Sequence, residues 1–114
     1  MTREDLLEAI KKVEEQGQLG ISEEGGCKYA QPNDLSINCV VGKLLTPFQR
    51  EQADNHYADS AIESVNLTYG WFDQNFADYV LAPLQKMHDQ SVDVEQFVKE
   101  STAFVKGLND EVFN

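Results

Sequence analysis

The chain has 114 residues, a hydrophobic fraction of 41% and a formal net charge of −11. These values are typical of one globular domain over residues 1–114, long enough to bury a core without covalent staples. No apolar run approaches the roughly 20 residues that cross a bilayer, and the N-terminus lacks the apolar core of a signal peptide. We therefore expect a cytoplasmic protein, in the host cytoplasm if it is viral, with no membrane partner.

The negative charge is concentrated in the second part of the chain. Residues 1–50 carry six basic and eight acidic side chains, whereas residues 51–114 carry three basic and twelve acidic side chains. A surface of this sign repels phosphate backbones, so direct nucleic-acid binding is disfavoured. The acidity indicates either solvated faces or a DNA mimic that occupies a basic groove of another protein. Because the acidic residues are scattered, solvated faces are favoured.

An amphipathic helix is the first predicted element. Thr2 and Asp5 are spaced as a capping box, and Gly17 marks the end of the helix. Its apolar residues recur at helical spacing, namely Leu6, Leu7, Ile10 and Val13.

Loop and turn residues follow this helix. Residues 18–35 are rich in Gly, Pro and Asn, and a small two-stranded β-hairpin near residues 27–38 is a possible further element. Ser36 begins a second helical segment, which Gly42 interrupts. Residues 46–49 read Thr-Pro-Phe-Gln, a second capping box with proline at the first helical position, and predict another helix.

Three further helices are predicted in the second half of the chain. Ser60 begins a short one, and Ser91 begins the last. The strongest apolar pattern lies between them and steps along one face through Phe72, Phe76, Tyr79, Val80, Leu84 and Met87. Pro83 should kink or divide that helix. The last helix has an inner stripe of Phe97, Val98, Ser101, Phe104, Val105 and Leu108. The predicted fold is a mainly α-helical, compact single-domain bundle of four to six helices.

Three aromatic or apolar residues outside these stripes are also informative. Trp71 is the only tryptophan, and its place before the strongest helix favours a core anchor over a ligand-stacking surface. Val112 and Phe113 either fold back onto the domain or contact a partner.

Two thiols and one imidazole are the candidates for metal binding. Zinc ligands commonly occur in pairs two to four residues apart. Cys27 and Cys39 are twelve residues apart, so a site formed by both with His88 is only weakly indicated. Phosphate-loop, dinucleotide and zinc-protease motifs are absent, and no cofactor is expected.

The same residues are the candidates for catalysis. Cys39 near a helix start is a candidate nucleophile, with His88 as base and Asp89 or Asp93 as its orienting partner. The alternative, which we favour, places Cys39 in the core beside Gly42. His88 at the polar edge of its helix is then a protonated imidazole at a helix C-terminus, or it bonds a loop carbonyl.

The oxidation state of the two cysteines follows from the expected compartment. Cytosolic thiols are usually reduced, so free cysteines are expected. A disulfide between Cys27 and Cys39 is the alternative if the turn between them is a hairpin.

Three short motifs resemble a family of small, uncharacterised phage and bacterial proteins. Members carry an N-terminal amphipathic helix, then Gly-x-Cys-x-Tyr, Cys-x-x-Gly and Leu-Gln-x-x-His-Asp. This chain has these motifs in the same order at residues 25–29, 39–42 and 84–89. The turn departs from the family, with Gln-Pro-Asn-Asp at residues 31–34 in place of a Pro-Asp-Gly-like run. The resemblance implies a viral or mobile-element accessory protein, without implying a mechanism.

An acidic surface without catalytic motifs predicts a non-enzymatic accessory protein that acts by binding another protein, with homo-oligomerisation left open. One alternative is a small cysteine-dependent enzyme that uses Cys39 and His88. The other is an acidic DNA-mimic inhibitor.

Overall fold

The computed structural model describes residues 1–20, 39–54 and 61–113. The prediction of a mainly α-helical protein is confirmed, and the described residues contain no strand. The helical elements in chain order are α1 (Arg3–Gln16), a 3-10 turn (Gly42–Leu44), α2 (Pro47–Asp54), α3 (Ile62–Tyr69), α4 (Gln74–Phe76), a π-helical turn (Ala77–Leu81), α5 (Ala82–Gln90), α6 (Val94–Lys106) and a second 3-10 turn (Asp110–Phe113). The predicted hairpin near residues 27–38 lies outside the described residues.

Helix α1 begins and ends as its sequence predicts. The Thr2 hydroxyl accepts a hydrogen bond from the Asp5 N–H at 3.1 Å, and the Asp5 carboxylate accepts one from the Thr2 N–H at 2.8 Å. Gly17 ends the helix with a φ of 81°, a left-handed conformation that glycine adopts without steric cost. The side chains that α1 buries are Leu6, Ala9, Ile10 and Val13.

The core lies between α1, α6 and the helices that contact α6. Helix α1 packs along α6, α6 also contacts α5, and α3 contacts the π-helical turn. The predicted stripe of α6 is confirmed: Phe97, Ser101 and Val105 are buried, and Val98, Phe104 and Leu108 are partly buried against the core. No helix in the described part of the chain is long and apolar enough to cross a membrane.

The segment before α2 differs from the predicted helix. Residues 39–41 form a turn that leads into the short 3-10 turn, and Ser36 lies outside the described residues. The second capping box is confirmed, because the Gln49 N–H donates to the Thr46 hydroxyl at 3.2 Å and the Thr46 N–H donates to the Gln49 side chain at 3.0 Å. Arg50 then donates from Nε to the Gly42 carbonyl at 2.6 Å, which ties α2 to the preceding turn.

A π-helical turn precedes Pro83 in the helix with the strongest apolar pattern. Proline has no N–H, so the Tyr79 carbonyl lacks its α-helical donor. In the turn before this proline, the Ala82 N–H bonds the Ala77 carbonyl five residues back. An α-helix would use the Asp78 carbonyl, four residues back. Such a turn shifts the helical phase of the residues that follow. The buried face continues through Leu81, Leu84, Gln85 and His88.

The exposure of Tyr79 corrects the predicted face of this helix. Its side chain is 73% exposed, whereas the constant helical spacing placed it on the apolar stripe. The difference arises because the prediction assumed one uninterrupted α-helical period.

Two helix starts also differ from the prediction. Asp93, not Ser91, caps α6, and its carboxylate accepts a first-turn N–H at 2.8 Å. Ser91 instead ends α5, where its hydroxyl donates to the Met87 carbonyl at 2.6 Å. Helix α3 begins after Ala61, which has no side-chain cap, and Ser60 lies outside the described residues.

Candidate functional site

The Leu-Gln-x-x-His-Asp motif places three polar side chains on α5, and we call Gln85, His88 and Asp89 the α5 polar cluster. Gln85 and His88 are buried, with His88 at 0% exposure. The Asp89 side chain is 23% exposed. The phase set by the π-helical turn directs this face of α5 into the protein.

Hydrogen bonds fix the tautomer of His88. Its Nε2 accepts a hydrogen bond from the Gly20 N–H at 3.1 Å, and its Nδ1 lies 2.9 Å from the Asp89 carboxylate. Because a backbone N–H can only donate, Nε2 carries the lone pair and the proton lies on Nδ1, where it is donated to Asp89. The ring also packs against Phe97 with 5.2 Å between centroids. The expected protonated imidazole, or bond to a loop carbonyl, is therefore wrong for this arrangement.

Gln85 serves the backbone in a similar way. Its Oε1 accepts a hydrogen bond from the Ile62 N–H at 2.9 Å. This bond supplies α3 with the N-terminal acceptor that Ala61 lacks. The α5 polar cluster thus ties the start of α3 and the segment after α1 to one helix.

Cys39 is fully buried and disulfide-bonded. The expectation of a free thiol is wrong for this residue, because the compartment argument does not decide the bonding of a particular sulfur. Cys27 is the only other cysteine in the chain and lies outside the described residues. A disulfide sulfur is not a thiolate nucleophile, and the lone pair on Nε2 of His88 is already used. This geometry argues against catalysis by Cys39 and His88.

The candidate metal ligands Cys27, Cys39 and His88 are not brought together by anything the described residues show. Within residues 1–20, 39–54 and 61–113, no group of three Cys, His, Asp or Glu side chains could hold a metal ion.

A different region presents an open surface. A groove of about 370 Å³ lies between the start of α1, the loop before α4 and the C-terminal 3-10 turn. We call it the aromatic groove, and it is lined by Met1, Trp71, Phe72, Asp73, Phe76, Val112 and Phe113.

A buried amide holds the loop that carries Trp71. Asn66 is 2% exposed; its Oδ1 accepts the Phe72 N–H, and its Nδ2 donates to the Phe72 carbonyl and to Gln74, each at 2.9 Å. The Trp71 ring stacks on Tyr69 with 4.7 Å between centroids and 6° between planes. Trp71 is partly exposed at the groove, so the prediction of a core anchor describes only part of its role.

Arg3 holds the opposite side of the groove. Its guanidinium donates to the carbonyls of Val105 and Leu108 and lies 4.9 Å from the centre of the Phe113 ring. Phe113 meets Phe76 edge-on, with 6.1 Å between centroids. Phe113 therefore folds back onto the body, which was one of the two expected outcomes for the end of the chain.

Sequence reasoning did not identify this groove as a unit. Its residues come from three separate stretches that share no local periodicity. The available signal was the aromatic pair Trp71 and Phe72, which follows directly after Gly70 at the end of α3.

Comparison with protein-family models, with curated proteins and with solved structures finds no match to this chain. The resemblance to small phage and bacterial proteins stays a prediction that rests on the three motifs.

Proposed function

We propose that this protein is a non-enzymatic accessory protein, viral or from a mobile element, that binds another protein through the aromatic groove. The observation that carries the proposal is the set of aromatic side chains that line an open groove in fixed positions. The rings are partly buried, and Phe76 is only 9% exposed, so together they form the wall of a concave, largely apolar site of the kind that ligands occupy. Aromatic residues also contribute a large share of the binding energy at protein interfaces.

The rigidity of the groove supports this role. Asn66 fixes the loop on one side through the backbone of Phe72. On the other side, Arg3 holds the C-terminal turn through the Asp110 carboxylate. A surface that is already ordered loses less conformational entropy when a partner binds. The groove is therefore organised before any partner arrives.

The two alternatives have less support. The enzyme alternative needs an accessible nucleophile and base, whereas Cys39 and His88 are both fully buried. The DNA-mimic alternative depends on net charge alone and gives the aromatic groove no role.

Peptide display tests the proposal directly. A random peptide library is selected on the wild-type protein at physiological salt, and enriched peptides are titrated while the fluorescence of Trp71, the only tryptophan, is recorded. We expect enriched peptides to shift the Trp71 emission. The Phe113→Ala variant should weaken their binding about tenfold, which corresponds to about 1.4 kcal/mol.

The matched control is Tyr79→Ala, which removes an exposed aromatic ring outside the groove and should change affinity less than twofold. Val112→Ser serves as a second, milder groove variant, and circular dichroism checks that each variant folds. No enriched peptide, or enriched peptides that respond to Tyr79→Ala and ignore both groove variants, would overturn the proposal.

A further inference from the structure

We infer that the aromatic groove takes a cationic side chain, so that its partner is a basic segment of another protein, with Arg or Lys beside an apolar residue. This inference rests on the proposed function, because it names the chemistry of the protein segment that would fill the groove.

The lining of the groove carries the first argument. Among the described residues that line it, the groove combines four aromatic rings with one carboxylate, that of Asp73, and includes no basic side chain. The faces of aromatic rings attract cations, most strongly where water is partly excluded. The Asp73 carboxylate is held in place as the N-terminal cap of α4, where it accepts the Phe76 N–H at 3.1 Å. A carboxylate has further acceptor sites beyond that bond, so Asp73 can also receive a cation.

The protein already pairs a guanidinium with the same kind of surface at the edge of the groove. Arg3 lies over the Phe113 ring at 4.9 Å, and its Nη2 donates to the Asp110 carboxylate at 2.6 Å. Ring face and carboxylate thus act together on one cation. The groove also contains both kinds of group, since aromatic rings and the Asp73 carboxylate line it together.

The charge of the whole chain selects the same partner. At −11, its long-range field attracts basic segments and raises their association rate. The same field repels a second copy of the chain. A basic segment of a different protein therefore fits the groove better than self-association does.

Three synthetic peptides that differ only in charge test the inference. They are acetyl-Gly-Arg-Leu-Phe-Arg-Gly-amide and its counterparts with Gln or Glu in place of both Arg residues. Each is titrated against the wild-type protein with Trp71 fluorescence as the readout. We expect the Arg peptide to bind at least about tenfold more tightly than the Glu peptide, and its affinity to fall as salt is raised.

Two variants locate the cation. Asp73→Asn keeps an oxygen that can cap α4 and removes the charge from the groove, so it should weaken the Arg peptide about threefold to tenfold. The matched control is Asp93→Asn, which makes the same change at the N-terminal cap of α6, outside the groove, and should leave affinity within twofold.

The outcomes separate this inference from the proposed function. If the Gln peptide binds as tightly as the Arg peptide and Phe113→Ala weakens the binding of both, the groove is a docking site. The inference that it takes a cationic side chain is then wrong. Equal effects of Asp73→Asn and Asp93→Asn would show that the preference for the Arg peptide depends only on the net charge of the protein. That result would overturn the assignment of the cation to the groove. Failure of all three peptides to bind also overturns the inference, while the display selection still decides the proposed function.

Discussion

The α5 polar cluster and the aromatic groove differ from what their residue types suggest: the polar cluster is mostly buried, and the aromatic groove is open. The cluster contains a histidine and an aspartate of the kind that catalyse reactions, yet the imidazole is fully buried and both ring nitrogens are hydrogen-bonded. The groove contains Trp71 and Phe113, which are typical of cores; both pack against the core, yet both also line an open surface. Residue type indicates what a side chain can do, and its position on the fold decides whether it does so.

The two regions should therefore respond differently to substitution. Changes in the α5 polar cluster should lower stability, because its side chains are the partners of buried backbone groups. Changes in the groove should lower binding with little effect on folding. A substitution that reverses this assignment breaks the comparison.

The largest effect is expected for His88→Ala. The change leaves the Gly20 N–H without its acceptor and opens a cavity beside Phe97. We expect the free energy of unfolding to fall by about 3 kcal/mol, measured by urea denaturation. Lys86→Ala, on the exposed side of the same helix, is the control and should change stability by less than about 0.5 kcal/mol. A His88→Ala loss of the same small size would mean that the cluster does not hold the fold.

Asn66→Ala should give an intermediate effect that reaches both regions. The amide is buried like the α5 polar cluster, but it positions the loop of the groove through Phe72. We expect a loss of about 2 kcal/mol in unfolding free energy, a red shift of Trp71 emission and weaker peptide binding. Asn75→Ala, at an exposed position of α4, is the control. Unchanged Trp71 emission and binding would show that the groove does not depend on this amide.

The smallest effect is expected at the exposed start of α1, outside both regions. The pKa of the Asp5 carboxyl is below its usual value. The main cause is its hydrogen bond with the Thr2 N–H, and the second is a hydrogen bond with the Thr2 hydroxyl. Because the pKa of Asp5 is lower in the folded than in the unfolded state, its ionised carboxylate stabilises the protein at pH values above the unfolded-state pKa. This contribution is lost as the pH falls through the folded-state pKa. Unfolding measured from neutral pH down to about pH 3 should show this loss in the wild type.

Asp5→Asn should remove that part of the pH dependence and cost less than about 1 kcal/mol at neutral pH. An unchanged acid limb in the variant would show that the negative charge of Asp5 makes no contribution to stability.

Features that depend on close spacing in the sequence could be predicted. The capping boxes at Thr2 and Thr46 each join residues three positions apart, so the local sequence contains both partners. The stripe of α6 could also be read, because one unbroken α-helical period carries it from Phe97 to Val105.

Features that depend on a change of helical period could not be predicted from the sequence. A single α-helical period through Pro83 places Tyr79 inside and His88 at the polar edge. Pro83 indicates a break in this helix, but the spacing does not indicate that the break is a π-helical turn over Ala77–Leu81. The aromatic groove was missed for a related reason, since only tertiary packing brings Met1, Trp71 and Phe113 together.

The π-helical turn also determines where this part of the chain can change its length. It contains about one residue more per turn than an α-helix, which has about 3.6. The removal of one residue from Ala77–Leu81 would therefore let the turn become α-helical and leave α5 close to its present orientation. A deletion in α5 before His88 would instead rotate the following residues by about 100° and turn His88 away from the Gly20 N–H. Among homologous chains, single-residue deletions should therefore occur at Ala77–Leu81 and be excluded between Ala82 and His88.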